Sequence, residues 1–482
     1  MNYRMIANIV GKIVCVEAAF MLPALGICLY CHESAGAVGV AAAMGAALVF
    51  GGAMLLLRPK RKSMFVREGL VAVGLAWIAV SLFGALPFFV SGAIPNFIDC
   101  FFETVSGFTT TGASILSDVE SMPRGLLYWR SFTHWLGGMG VLVFVLALSP
   151  LGAKDSGESM HLLRAESPGI KITKLVPRMR RSAGILYTIY IAMTVLQAVL
   201  LLLGRESLFN SVNIALGTAG TGGFAIKNDS MASFSAYTQW VTTIFMLLFG
   251  VNFSMYFLIL MGEAKKVLKN EETRVFFCIV VVAALVIALD TRGYFATAEQ
   301  TLRTAFFQVA SIISTTGYCS TDFDLWPQLS RTILVALMFV GGCAGSTGGG
   351  AKVIRIIVMF KLARRGIHRV LHPNSVRLVQ LDGETLDDAT TEGVSSYMML
   401  YFILIAAVTL LVSLDGQSLE TNFTAAVSCL NNVGPGMAGI GATMNYGGFS
   451  PFVKLVLCAA MLIGRLEIYP ILTLFLPSVW RK

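Results

Sequence analysis

Val105-Ser-Gly-Phe-Thr-Thr-Thr-Gly-Ala-Ser114 decides the reading of this chain, because a loop of the same build returns three more times, as Gly220-Thr-Gly-Gly-Phe224, Ser314-Thr-Thr-Gly-Tyr-Cys319 and Asn431-Asn-Val-Gly-Pro-Gly436. Each loop follows an apolar segment of about ten to fifteen residues, too short for a bilayer that needs about twenty helical residues. Each segment is therefore a half-helix, flanked on either side by a longer apolar segment. The repeating unit is long helix, short helix, glycine loop, long helix. Non-helical backbone at membrane depth must be buried in protein or line a wet cavity, and a ring of its carbonyls can replace an ion's hydration shell. In Thr111-Gly112, Thr221-Gly222, Thr316-Gly317 and Val433-Gly434, glycine permits the positive φ that turns successive carbonyls toward one axis. The short helices end at these loops, so their negative dipole ends favour a cation there. In the second loop Gly220, Gly222 and Gly223 compete; Gly222 is chosen because Thr221-Gly222 matches the Thr-Gly of the first and third loops.

The composition points the same way. Of 482 residues, 56% are hydrophobic and only 13% charged, with a mean hydropathy of +0.74. That excludes the surface of a soluble protein and describes a polytopic membrane protein. A formal charge of +9 raises the question of nucleic acid, but the basic residues lie between apolar segments, where positive-inside sorting accounts for them. The apolar run from Ile6 is too long for a signal-peptide core and leads directly into another span, so it is expected to stay in the mature chain. Nine cysteines, scattered and mostly inside apolar runs, imply neither a disulfide framework nor a zinc site. Cys319 and Cys429, near the loops, read as small buried hydrophobes.

Taken in order, residues 1–68 form a two-helix hairpin, with apolar segments at 6–30 and 36–57 and a basic cluster from Arg58 to Lys62. Four units follow, at 69–150, 151–270, 271–392 and 393–482. Their first spans are expected at 69–89, 183–203, 275–290 and 395–413, and their second spans at 126–148, 236–261, 331–360 and 451–476. The half-helices fall at 97–108, 207–217, 298–312 and from Ser418 to Leu430. Ser207 and Ser418 serve as N-caps, and Thr297 with Gln300 as a capping box. The fold class is thus an all-α membrane protein with ten transmembrane helices, in which four parallel repeats surround one pore. Lys171, Lys174, Arg178, Arg180 and Arg181, then Lys265, Lys266 and Lys269, then Lys361, Arg364, Arg365 and Arg369, mark cytoplasmic turns. An even number of crossings puts both termini inside and all four glycine loops outside. The polar stretch from His368 to Glu392 is the longest soluble segment.

Several residues have competing readings. Gly341-Gly-Cys-Ala-Gly-Ser-Thr-Gly-Gly-Gly350 is not a phosphate loop, since Ala351 precedes Lys352 and no Gly-Lys-Ser/Thr follows. Inside a span, it reads as unwound backbone beneath the filter, able to act as a gate, or as a tight helix crossing. Arg465 lies deep in the last span, where an arginine costs at least about 2.5 kcal/mol unless it faces a polar interior. Facing the pore, it would set a barrier to cations. The alternative is a structural pair, either with Glu467, which is disfavoured because residues two apart on a helix diverge, or with a partner on another helix. Glu103, Asp118, Asp229 and Asp322 either draw cations to the outer mouth or form a solvated rim. Arg130 and His134, near the start of a span, read as packing or interface groups. No catalytic constellation stands out, so no enzyme is expected.

Phe108-Thr-Thr-Thr-Gly-Ala-Ser114, Gly222-Gly-Phe224, Ser314-Thr-Thr-Gly317, the tract from Gly341 to Gly350, and Gly464-Arg465-Leu-Glu467 together resemble the TrkH-type potassium uptake subunits, of the superfamily that includes the Ktr membrane subunits and the plant HKT transporters. The resemblance covers nearly the whole chain. It implies potassium uptake across a bacterial inner membrane through a gated pore, with K⁺ held at Thr110, Thr111, Gly112, Thr221, Gly222, Thr315, Thr316, Gly317, Asn432, Val433 and Gly434. It implies a gating loop at Gly341, Gly342, Gly345, Ser346, Thr347, Gly348, Gly349, Gly350 and Lys352, and a pore arginine at Arg465. It also implies a homodimer and a cytoplasmic ring of TrkA-type subunits that bind NAD or ATP themselves, with no cofactor on this chain. Val433 departs from the Thr of the other loops. A cation-coupled secondary transporter, with K⁺/Na⁺ or K⁺/H⁺ symport, is the rival function, and a membrane scaffold the non-transport one.

Overall fold

Four short helices, Phe97–Phe108, Leu208–Ala219, Ala298–Ile313 and Leu419–Asn431, form the centre of the fold. Each starts where a polar side chain satisfies a free backbone N–H. Asn96 accepts from Ile98 N at 2.9 Å, Ser207 from Asn210 N at 3.1 Å, Thr297 from Gln300 N at 3.1 Å and Ser418 from Thr421 N at 3.2 Å. The computed structural model of the protein describes residues 1–57, 65–140, 179–375 and 377–480. The basic residues 58–62 and 171–178, and the far end of the expected span 126–148, lie outside the described residues.

Around each short helix stand two longer elements. The first spans are Val66–Val90, Met179–Leu203, Glu271–Asp290 and Asp388–Val412. The N-terminal hairpin adds Tyr3–Phe20, continued by Leu22–Tyr30, and Ser34–Leu56. Its two arms cross closely: a Cβ on Gly11 would lie 2.8 Å from the Gly51 carbonyl oxygen. In the most apolar stretch of Val66–Val90, 61% of residues are buried, against 28% in that of Ser34–Leu56, so the former is an inner wall and the latter presents its side chains outward. Exposed residues such as Val49, Val195, Val282 and Leu410 have the character of a lipid-facing surface.

The second spans depart from the expected continuous helices. Their upper parts are Arg124–Gly138, Ala236–Phe249, Gln328–Val340 and Pro451–Arg465, of 15, 14, 13 and 15 residues. At 1.5 Å per residue they run about 20–22 Å before breaking. The expected span 236–261 is two helices, Ala236–Phe249 and Phe253–Leu260, bent by 91°. Gly250 ends the first, and Asn252 caps the second by accepting from Ser254 N at 2.8 Å. The expected span 451–476 breaks after Arg465, where Glu467 and Ile468 take φ of +53° and +72°, and resumes as Tyr469–Leu474. Only the interruption in the third unit was expected. Among the described residues six helices are long and apolar enough to cross alone; with the four second spans the elements are consistent with ten crossings. Among the described residues the only strands are Gln380–Leu381 and Glu384–Thr385, an antiparallel hairpin within the stretch expected to be soluble; the helix Val353–Leu371 also runs into that stretch.

Candidate ion pathway

The four short helices end alike. The N–H groups of Thr111, Gly222, Thr316 and Val433 reach back to the carbonyls of Ser106, Gly217, Ser311 and Ser428, at 2.9, 2.9, 2.8 and 3.0 Å, in the manner of a Schellman cap. One residue earlier, Thr110, Thr221, Thr315 and Asn432 take left-handed φ of 55°, 52°, 60° and 54°. One residue later, Gly112, Gly223, Gly317 and Gly434 have φ of 79°, 72°, 82° and 102°. The second loop is therefore one residue out of step with the Thr-Gly match. Gly223, not Gly222, is the counterpart of the other three glycines; Gly222 stands where Thr111, Thr316 and Val433 stand, and Thr221 where Thr110 stands. Where the helix ends sets this register, and the backbone cap follows from it whatever the side chains are.

These glycines touch in a closed cycle. A Cβ on Gly112 would collide with the Gly222 carbonyl oxygen, one on Gly223 with Thr316 O, and one on Gly317 with Val433 O. One on Gly434 would lie 2.6 Å from Thr111 O, which closes the circle. The loops thus meet about one centre, and only glycine satisfies both the positive φ and the contact with the next loop.

A hydrogen-bonded collar fixes the ring from behind. Thr109 and Thr111 hydroxyls lie 2.8 Å apart, and Asn432 Nδ2 donates to Thr111 Oγ1 at 3.0 Å, joining the first and fourth loops. Gly434 O accepts from Ser428 Oγ and from Tyr446 OH, both at 2.8 Å. His134 Nδ1 donates to Gly107 O at 2.7 Å while Nε2 accepts from Phe224 N at 3.2 Å, which fixes one neutral tautomer between the first and second loops. Glu103 is 1% exposed. It pairs with Arg130 Nε at 2.6 Å and accepts from Ser114 Oγ and Ile115 N, both at 3.0 Å. Arg130 reaches on to Ala225 O at 2.8 Å and lies 3.6 Å over the Phe224 ring. The outer-mouth reading of Glu103 is therefore wrong: a carboxylate buried on a half-helix needs a cationic partner, and it holds the exit of the first loop. Asp118 is on the surface, where the Asn228 amide at 2.9 Å holds its carboxyl below the usual range. Asp229 is exposed, and Asp322 caps a turn by accepting from Asp324 N at 3.1 Å.

Beneath the ring, residues 341–352 leave the helical path, with Gly341, Gly345, Gly350 and Lys352 at φ of 71°, 72°, 78° and 75°. Gly349 N donates to Thr315 Oγ1 at 2.6 Å, directly under the third loop. Cys343 N donates to Gly250 O at 2.9 Å, and Thr347 Oγ1 to Phe249 O at 3.2 Å, at the break of the second unit. Lys352 Nζ folds back on Gly348 O. Arg465 Nη1 donates to Thr347 O at 2.8 Å and Nη2 to Gly138 O at 2.6 Å, and also to Gly137 O. One guanidinium thus spans the breaks of the first and fourth units and the tract itself. Glu467 pairs with Arg355, which lies 4.0 Å over Tyr397. Gly138, Gly348, Lys352, Arg465 and Glu467 line a cavity of about 220 Å³ at this level.

Fold and site together define a membrane protein in which one chain closes a ring of four re-entrant loops over a cavity lined by residues of the tract 341–352 and Arg465. The model of a family described as TrkH, cation transport protein, matches residues 39–482. The chain is 35% identical to the Trk system potassium uptake protein TrkH of Escherichia coli K12, and 33% identical to that of Halomonas elongata, each over the full length of both proteins. TrkG of Escherichia coli K12 is 30% identical over all of this chain and 99% of its own. The crystal structure of the potassium transporter TrkH from Vibrio parahaemolyticus superposes with a TM-score of 0.90 and 30% identity, covering both chains completely. The chain belongs to the TrkH family.

Proposed function

We propose that this protein takes up potassium ions through the centre of the loop ring. The observation that carries this reading is the closed cycle from Gly112 to Gly434, which brings four backbone segments and four helix C-terminal ends to one point. Carbonyls there replace water around a monovalent cation, and the helix ends favour its charge. The names of the relatives, all potassium uptake proteins, support K⁺ as the ion. Thr111, Gly222, Thr316 and Val433 supply the ring carbonyls, and the glycine after each gives them their direction. The tract 341–352 acts as the gate, and Arg465 as the electrostatic barrier that pins it. The setting is the inner membrane with both termini cytoplasmic; a homodimer with a TrkA-type nucleotide-binding ring, implied by the family resemblance, regulates opening.

The test is ion flux into liposomes holding the purified protein, with and without its cytoplasmic partner. Uptake of K⁺ in excess of Na⁺, raised by trimming residues 341–350, is expected. Equal K⁺ and Na⁺ flux would refute the filter, and unchanged basal flux after trimming would refute the gate.

A further inference from the structure

Glu272 lies in the first turn of the helix Glu271–Asp290 and is 2% exposed. One of its oxygens, Oε1, accepts from Ala344 N at 2.7 Å and from Ile354 N at 3.2 Å. These donors stand at opposite ends of the tract 341–352, whose ends also meet through Val353 N and Gly342 O at 3.1 Å. A single carboxylate oxygen therefore joins the entry and exit of the loop. The start of the same helix is tied to the two-stranded hairpin. Asp382, in its turn, accepts from Asn270 Nδ2 at 2.8 Å and from Glu271 N at 2.6 Å. Lys361 Nζ bridges Glu271 and Gln380 O at 2.6 and 2.7 Å.

We propose that Glu272 is a positioning residue that clamps both ends of the gating loop in the closed position, and that the Asp382 hairpin is the handle through which the cytoplasmic side moves it. This rests on the reading of residues 341–352 as the gate. Both donors depend on this one buried oxygen, so the two loop ends lose their shared partner when the acceptor goes. Withdrawing the helix start by way of the hairpin releases both loop ends at once.

Because both bonds end on one oxygen, the amide oxygen of glutamine can accept them and a thioether of similar length cannot. In liposomes without a partner, Glu272→Met should raise K⁺ flux by at least about tenfold, while E272Q stays within about threefold of wild type, as expected when two hydrogen bonds are lost or kept. Cys343 adjoins Ala344 and is fully buried. Its alkylation by a maleimide, read by peptide mass spectrometry, should accelerate in the same proportion. Asp382→Ala, on the exposed hairpin, should accelerate it by about threefold. A purely structural role would lower yield or melting temperature without moving Cys343 labelling, and would not be rescued by glutamine. Wild-type flux and labelling in Glu272→Met, or a glutamine variant as leaky as the methionine one, would overturn the clamp. If Glu272→Met fails to fold, unchanged labelling in Asp382→Ala overturns the handle by itself. Loop trimming serves as the control: trimming without effect sinks the gate reading, whereas Cys343 labelling still reports on the clamp.

Discussion

Replacing Gly434 with alanine puts the ring under a calculable load. Its φ of 102° is sparsely populated by residues with a side chain, at a cost of about 1–3 kcal/mol. The new Cβ would lie 2.6 Å from Thr111 O, where 3.4 Å begins ordinary contact, so 3.4 − 2.6 = 0.8 Å of displacement has to be found. Neither loop yields freely. Thr111 is held by its N–H on Ser106 O at 2.9 Å and by Asn432 at 3.0 Å, and Gly434 O by Ser428 and Tyr446. At about 2 kcal/mol of strain, loops that have left the ring geometry gain roughly thirtyfold, since 1.4 kcal/mol is a factor of ten. The K⁺ over Na⁺ flux ratio in liposomes should therefore fall by at least about tenfold. Gly448→Ala is the matched control, because it lies in the same outer segment with open space around its Cβ. A melting scan shows that the variant keeps its fold. A Gly434→Ala protein of normal melting temperature whose ratio stays within twofold of wild type would refute the ring.

Gly223→Val should abolish K⁺ selectivity, because a β-branched residue is an outlier at φ of 72° and meets Thr316 O; retained selectivity in the same flux assay would contradict the assigned register. Arg465→Ala removes the bonds to Thr347, Gly137 and Gly138, each worth about 1.5–3 kcal/mol as bonds to a charged group, and basal flux should rise by at least about tenfold. Arg130→Ala leaves Glu103 buried without its cation and should cost about 3–5 kcal/mol, seen as a lower melting temperature in detergent. In that same variant, Glu103→Leu should recover part of the loss, which a double-mutant cycle measures.

The short helices and their caps were legible in the sequence because they obey local rules. Ser207, Thr297 and Ser418 precede apolar runs of limited length, and their side chains cap the helices as expected. Gly223 was not legible, because matching Thr-Gly pairs by residue type cannot show where a helix ends. The left-handed cap sits at Thr221 after a helix that runs to Ala219, two residues beyond the expected end. The breaks in the second and fourth units were hidden for another reason. Gly250, Glu467 and Ile468 are unremarkable inside apolar segments, and the break is maintained by long-range partners such as Cys343 and Arg355. Glu103 shows the same limit, since its partner Arg130 belongs to another helix.

The four breaks are joined by hydrogen bonds through residues 341–352 and Arg465, and this bears on how the proposed gate could move without a large energy well. A helix that ends inside the membrane leaves carbonyls without intrahelical donors, and these need either protein or water. In this structure, Gly137 O and Gly138 O are taken by Arg465, Gly250 O by Cys343 N, and Phe249 O by Thr347. The gating tract and the arginine are thus caps for the helix ends around them. If the tract withdraws, water entering the cavity can satisfy Gly250 O and Phe249 O at little net cost, because a neutral intramolecular hydrogen bond contributes only about 0.5–1.5 kcal/mol over its hydrated alternative. Closed and open states then differ by a few such bonds, a gap small enough for contacts at a distant handle to reverse. The fourfold ring above has no such exchange available, since its glycines press on neighbouring carbonyls rather than donate to them. On the proposed function, the filter can therefore be rigid while the gate beneath it moves.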